Sequence, residues 1–166
     1  MIPRLIDATV EVFHTMLDRR LISAEPLLGQ QPPRAHIVST IGFAGSANGL
    51  VTFGCSCEAA RAITTGLLGL DPGEVDSELA DAIGEMTNMI AGSFRNRMAV
   101  NASAWTLTTP FSTIGRDFIT VYATGAPRVI CPFMMGSHEL FVELVIQPVA
   151  HRPVGRGVYS SSAILH

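Results

Sequence analysis

The order of the hydrophobic patterns predicts an α+β domain, in which two long helices and a shorter helix pack on one face of a mainly antiparallel sheet of about six strands. A helical pattern comes first, followed by a hairpin pattern, two more helical patterns and a run of strand patterns. Strands that follow one another without intervening helices pair antiparallel, and the apolar faces of the helices then cover the sheet. The length of 166 residues and the 48% apolar content suit one core, so we expect a single domain over residues 1–150. Residues 151–166 have no periodicity and are expected to form a flexible C-terminal tail.

The charged residues exclude several kinds of site. The net charge of −3 is the opposite of the clustered basic surface that binds nucleic acid. All 11 basic residues are arginine, which excludes a phosphate-loop lysine, a Schiff-base lysine and a Ser-Lys dyad. We therefore expect no nucleic-acid partner and no catalysis through lysine.

The cysteines and the apolar runs indicate where the protein works. Cysteine occurs three times, an odd number in a core-rich chain, which is typical of buried packing residues in a reducing compartment. The histidines show no metal-ligand spacing, so we expect no metal site. No signal-peptide pattern comes before the first helix, and no apolar run approaches the ~20 residues of a membrane span. A cytoplasmic protein without a membrane partner is predicted.

The predicted elements follow from periodicity and from turn residues. Helices are predicted at residues 3–21, 57–70 and 76–98, where apolar positions recur at helical spacing. Strands are predicted at residues 36–43, 50–55, 104–109, 117–124, 129–135 and 139–147, with a glycine-rich turn over residues 45–49 and a tight turn at Gly136-Ser137. Pro132 lies inside a strand pattern and therefore predicts an edge position or a bulge.

The third predicted helix carries a polar stripe opposite its apolar face. Its apolar face consists of Leu79, Ile83, Met86, Ile90 and Phe94. On the opposite side lie Asp81, Glu85, Asn88 and Gly92, spaced i, i+4, i+7 and i+11, and Gly84 adjoins them. We call Asp81, Glu85, Asn88 and Gly92 the ridge.

The residue pattern by itself leaves the use of the ridge open. Exposed glutamate and asparagine are common on solvated helix faces, so an ordinary surface is one interpretation. Glycine in a helix interior costs about 1 kcal/mol relative to alanine and so calls for a reason. Close packing of another element is one reason, and the close approach of a partner's backbone is another.

The segment "ELADAIGEMTNMIAGSF" resembles the motif helix of the CheC/CheX/FliY chemotaxis phosphatases, and CheX members most of all. Its specific part, GE-x-x-N-x-I-x-G, matches in Gly84, Glu85, Asn88, Ile90 and Gly92. Asp81 matches the family's preceding aspartate, and Pro110 matches its following proline. The single copy of the motif favours CheX, and the resemblance, which covers most of residues 3–148, implies a CheC-like fold.

The resemblance implies a phosphatase for the aspartyl-phosphate of a CheY-like response-regulator receiver. Asn88 would position the attacking water, and Glu85 would dock against the receiver's lysine. Asp81, Gly84, Gly92 and Pro110 are expected at the partner contact. The receiver would supply Mg²⁺, so no cofactor of the chain's own is expected. A homodimer is also expected.

Two other functions fit the same residues. A CheX-like module could dock a receiver or another signalling partner without hydrolysis. A purely structural dimer would leave the polar stripe solvated. An exposed and unobstructed ridge favours catalysis, whereas burial of Asn88 favours the structural alternative.

Overall fold

The computed structural model describes residues 1–45, 47–71, 73–98, 105–122 and 125–148. Residues 149–166 lie outside this part of the chain. The bounds expected for the domain, 1–150, and for its tail, 151–166, therefore stay predictions.

Three helices form close to where the sequence predicts them. They are α1 (Ile2–Leu17), α2 (Cys57–Leu68) and α3 (Leu79–Arg97). The Ser56 side chain caps α2 by accepting a hydrogen bond from the Ala59 amide at 3.1 Å, and Gly69 ends this helix at φ 66°. With 16, 12 and 19 residues, they match the prediction of two long helices and a shorter one. No helix in the described residues is long and apolar enough to cross a membrane.

The strands form one antiparallel sheet. They are β1 (Ile22–Ser23), β2 (Leu27–Leu28), β3 (Ala35–Ala44), β4 (Ala47–Cys55), β5 (Thr106–Leu107), β6 (Phe111–Phe118), β7 (Arg128–Met135) and β8 (His138–Pro148). The central order is β7-β8-β4-β3, with β1 and β2 beside β7, and β5 and β6 beside β3. Within the described residues, five strands have 8 to 11 residues and three have only two, which fits the prediction of about six.

The helices pack on one face of the sheet, as predicted. The main core contains buried residues of all three helices and of β3, β4, β7 and β8. The other face carries a smaller apolar cluster around Val38, Ile130 and Phe141, to which no described helix contributes. Strand alternation explains this division, because successive side chains point to opposite faces.

The strand predicted at residues 117–124 is wrong in position. The strand is β6, which starts directly after Pro110 and pairs with β3 from Thr40↔Phe111 to Ala35↔Phe118. Asp117, at φ 51°, marks an irregularity near its end. Beyond β6, the Tyr122 hydroxyl lies 2.8 Å from the Thr52 hydroxyl of β4, so this residue contacts the sheet through its side chain. The β-branched and aromatic content there predicted a strand, but residues 119–122 form none, and residues 123 and 124 lie outside the described part of the chain.

The first hairpin is tighter than the sequence indicates. Strand β4 begins at Ala47, so Asn48 and Gly49 belong to the strand and not to the turn. Gly49 pairs with Phe43, and a Cβ at Gly49 would lie 2.3 Å from the Phe43 ring. The glycine serves close packing within the sheet.

Pro132 takes the edge-like position predicted for it. Strands β1 and β2 pair with β7 on either side of Pro132, which therefore faces the gap between them. The Ala24 amide donates to the Pro132 carbonyl at 3.0 Å, so this carbonyl and the ring nitrogen position face the outer side of β7. The missing N–H thus leaves the β7–β8 ladder intact.

Candidate active site

Helix α3 orients the ridge through its apolar face. Leu79, Ile83, Met86, Ile90 and Phe94 are at most 4% exposed, and all belong to the core. Because residues four and seven positions apart lie on one helix face, burial of this stripe turns the ridge away from the sheet. The predicted phase of α3 is confirmed.

The ridge is open to solvent. Asp81, Glu85 and Asn88 are exposed, and Gly92 is partly buried. A Cβ added to Gly92 would meet no atom within 4 Å. From Asp81 to Gly92 the ridge extends about 16 Å along the helix. The side chains are therefore accessible to a partner, and Asn88 is not buried.

Gly84 differs from the expectation that it belongs to the partner-facing surface. It is buried, and a Cβ there would lie 3.5 Å from Ser112 Oγ and 3.6 Å from Pro110 Cγ. Of the two uses of a helix glycine, the structure gives Gly84 the internal one, since β6 and the proline before it pack against this turn. Pro110 thus contacts the motif helix at Gly84, the residue directly before Glu85.

Ser112 is a site neighbour that the sequence interpretation missed. Its hydroxyl donates to the Ala80 carbonyl in the first turn of α3 at 3.0 Å. Correct placement of β6 after Pro110 would have indicated it, because alternation then points Ser112 to the helix side and Phe111 to the other side.

The opposite flank of α3 is tied to α1. Glu11 accepts a hydrogen bond from the Ser93 hydroxyl at 2.8 Å and pairs with Arg97 at 2.8 Å. The Ser93 hydrogen bond, followed by the hydrogen bond and the charge of Arg97, holds the pKa of Glu11 below its ordinary value. The Glu11 side chain is 53% exposed, so this tie lies in solvent.

The chemistry of the ridge is that of one amide beside two carboxylates. A carboxamide both donates and accepts hydrogen bonds while staying neutral, and an ionised carboxylate only accepts. Such groups can orient a water molecule and pair with a cation that a partner presents. Among the described residues, no three His, Cys, Asp or Glu side chains converge on a metal position.

A family model described as "Chemotaxis phosphatase CheX" matches residues 37–134 of this chain. The matched region contains most of β3 and of β7 and everything between them, that is β4, α2, α3, β5 and β6. The chain belongs to the CheX family. The motif helix and the edge strand that packs on it both lie inside the family match.

Known CheX proteins agree with this assignment in sequence and in fold. CheY-P phosphatase CheX of Thermotoga maritima is 27% identical over 122 residues, which are 69% of this chain and 77% of that protein. The crystal structure of chemotaxis protein CheX from Desulfovibrio desulfuricans has a TM-score of 0.80 at 25% identity and covers 87% of this chain and 97% of its own. The CheX chain of the CheX–CheY–BeF₃–Mg²⁺ complex from Borrelia burgdorferi shares the fold, with a TM-score of 0.72 at 21% identity and coverage of 88% and 97%. The predicted CheC-like fold is confirmed.

Proposed function

We propose that this protein is a phosphatase that hydrolyses the aspartyl-phosphate of a CheY-like response-regulator receiver. The observation that carries the proposal is the accessible pair Glu85 and Asn88 on one face of α3, in a chain of the CheX family. The Thermotoga relative is named for this activity on phosphorylated CheY, and the Borrelia relative was crystallised with CheY. Both support a receiver as the partner.

The chemistry needs little from the phosphatase. An acyl phosphate is already activated, and the receiver brings its own Mg²⁺ and lysine to neutralise the phosphoryl oxygens. What remains is to hold a water molecule in line with the bond that breaks. The Asn88 amide can bond this water and, being neutral, does not repel the phosphoryl group as a carboxylate would. No cofactor of the chain's own is required.

Glu85 lies about one turn before Asn88 and is also exposed. Its carboxylate is placed to pair with the receiver's lysine, a charge-assisted hydrogen bond that fixes the docking register. Asp81 lies one further turn away and adds a favourable long-range attraction to the same cation. Gly92 leaves space for the partner's backbone, and Pro110, which is exposed beside the Gly84 turn, contributes to the partner contact. Gly84 is buried and lets β6 pack closely against the helix.

The decisive experiment measures phosphate release from a panel of phosphorylated receivers, with and without this protein. We expect acceleration with at least one receiver and its loss with Asn88→Ala, because no other exposed ridge residue carries an amide. Asn96→Ala is the matched control, an exposed asparagine two turns further along α3, and should retain the acceleration. If Asn88→Ala still accelerates phosphate release, the mechanism is wrong. Receiver binding without acceleration by the wild type would instead favour the docking module.

Glu85→Ala separates docking from chemistry. We expect this variant mainly to raise KM, because the carboxylate acts on the register of the complex and not on the water. Kinetics identical to those of the wild type would contradict the role assigned to Glu85.

We also propose a cytoplasmic homodimer. Large apolar side chains stay exposed on the edge strand β6, where Phe111 is 72% and Ile114 is 50% exposed. No strand among the described residues pairs with the outer edge of β6, and exposed apolar groups on such an edge favour association with another chain. Sedimentation equilibrium over a range of protein concentrations tests this, and a monomer throughout would refute it.

A further inference from the structure

Strand β6 meets α3 at one turn of the helix. The Ser112 hydroxyl donates to the Ala80 carbonyl at 3.0 Å, and Pro110 Cγ lies 3.6 Å from the place that a Gly84 Cβ would occupy. A helical carbonyl already accepts the amide of the residue four positions on, which for Ala80 is that of Gly84. Ser112 therefore uses the second lone pair of the carbonyl that closes the glycine turn.

This turn is one of the two glycine turns of the ridge helix, and it is the one next to Glu85. Gly84 has wider conformational freedom than any other residue type, and it comes directly before Glu85. The N-terminus of the helix also has no side-chain cap, because Glu78 at the N-cap position makes no cap hydrogen bond. The local sequence does little to fix the conformation of this turn, so contacts from β6 have to fix it.

We propose that Ser112 is a positioning residue, which clamps the Gly84 turn so that Glu85 and Asn88 project in a fixed geometry. The inference rests on the proposed phosphatase function for its kinetic consequence, but not for its structural one. Small displacements of a group that orients a reactant cost much rate, since a shift of about 1 Å lowers a rate on the order of 100-fold. The hydroxyl would therefore act on turnover through Asn88, without touching the receiver.

The same face of the sheet offers a matched control. Ser39 of β3 pairs directly with Ser112, and its hydroxyl is fully buried without a hydrogen-bond partner among the described residues. Ser39→Ala makes the same chemical change one strand away, but breaks no bond to α3. Ser112→Thr keeps a hydroxyl at the clamping position on an edge strand that accommodates a β-branched side chain.

The test compares kcat and KM for receiver dephosphorylation in Ser112→Ala, Ser112→Thr and Ser39→Ala. We expect kcat to fall about tenfold in Ser112→Ala, while KM stays within about twofold of the wild-type value. The loss is smaller than 100-fold because the freed turn should move Asn88 by less than about 1 Å. Ser112→Thr should recover most of kcat, and Ser39→Ala should match the wild type. An equal loss of kcat in Ser112→Ala and Ser39→Ala would overturn the inference. So would an unchanged kcat in Ser112→Ala when Asn88→Ala is inactive.

A second measurement needs no activity. Amide hydrogen exchange at residues 84–88 should quicken in Ser112→Ala and not in Ser39→Ala, because only the first opens the glycine turn. Adding Gly84→Ala to Ser112→Ala should slow the exchange again and restore part of kcat, since alanine stiffens the helix and its Cβ would make only ordinary contacts at 3.5 Å or more. Equal exchange in the wild type and Ser112→Ala would refute the clamp, whatever the receiver assay gives. Failure of the receiver assay alone, with the exchange pattern as expected, would refute the phosphatase and keep the clamp.

Discussion

The two halves of α3 carry one glycine each, and the structure treats the two glycines differently. In the N-terminal half, Gly84 is buried against Pro110 and Ser112. In the C-terminal half, a Cβ at Gly92 would meet nothing within 4 Å. The first half is held by the part-buried hydrogen bond from Ser112 of β6, whereas the second is tied to α1 by the exposed Glu11.

This difference separates two tasks within one motif. A glycine that faces an internal strand lets that strand come close and fix the helix, whereas a glycine that faces solvent leaves space for another molecule. Glu85 and Asn88 lie between the two glycines. One side of the ridge is thus supported from within, and the other is left free for docking.

The largest effect is expected for a long side chain at Gly84. Gly84→Leu would push carbons past the Cβ position into Pro110 and Ser112, and overpacking of this kind costs about 1–3 kcal/mol of the free energy of unfolding. For a chain of this size that corresponds to a fall in melting temperature of several degrees, roughly 2–4 °C per kcal/mol. Thermal unfolding followed by circular dichroism measures it.

The matched control for that change is Gly92→Leu, which should melt no lower than the wild type because the position is open and leucine favours a helix. Equal destabilisation by the two leucines would remove the contrast between the halves. An unaltered melting temperature in Gly84→Leu would mean that β6 does not pack on this turn.

A smaller effect is expected on docking at the open half. Gly92→Leu should raise KM for the phosphorylated receiver several-fold while kcat changes little, because the side chain stands where the partner's backbone approaches. Surface plasmon resonance against a phosphorylated receiver gives the affinity directly. Full affinity in Gly92→Leu would exclude Gly92 from the partner contact.

The sequence predicts the open half of α3 better than the supported half. The phase of Glu85, Asn88 and Gly92 follows from helical periodicity within one segment, so local residues decide it. The burial of Gly84 depends on Pro110 and Ser112, which come much later in the chain and whose place depends on the register of β6 with β3. The sequence pattern could not predict that register, because the β-branched and aromatic residues after Phe118 predict a strand in the wrong segment.

The range of the interactions also explains which strands of the sheet were predicted correctly. Strands β7 and β8 were predicted closely, since the two-residue turn at Gly136-Ser137 sets their pairing and Gly136 takes the required positive φ of 62°. Nothing as local fixes β6, because its partner β3 comes much earlier in the chain. Long-range pairing is where sequence patterns stop being informative.

The smallest effect is expected at the exposed tie of the open half. In Glu11→Gln the Ser93 hydrogen bond can persist, but the charge pairing with Arg97 is lost. Exposed pairs of this kind contribute little, so at neutral pH the melting temperature should fall by on the order of 1 °C. High salt should reduce the difference, because it screens exposed charges.

The pH dependence of this difference has a definite sign. The pKa of Glu11 is lowered in the folded state by the Ser93 hydrogen bond and by Arg97. A carboxyl group whose folded pKa lies below its unfolded value, about 4.3, contributes stability above that value, and the contribution is lost as the pH falls through the folded pKa. Melting curves of the wild type and Glu11→Gln should therefore differ at pH 7 and converge in acid. A difference that persists once the pH has fallen below the folded pKa would show that Glu11 acts by packing and not by charge.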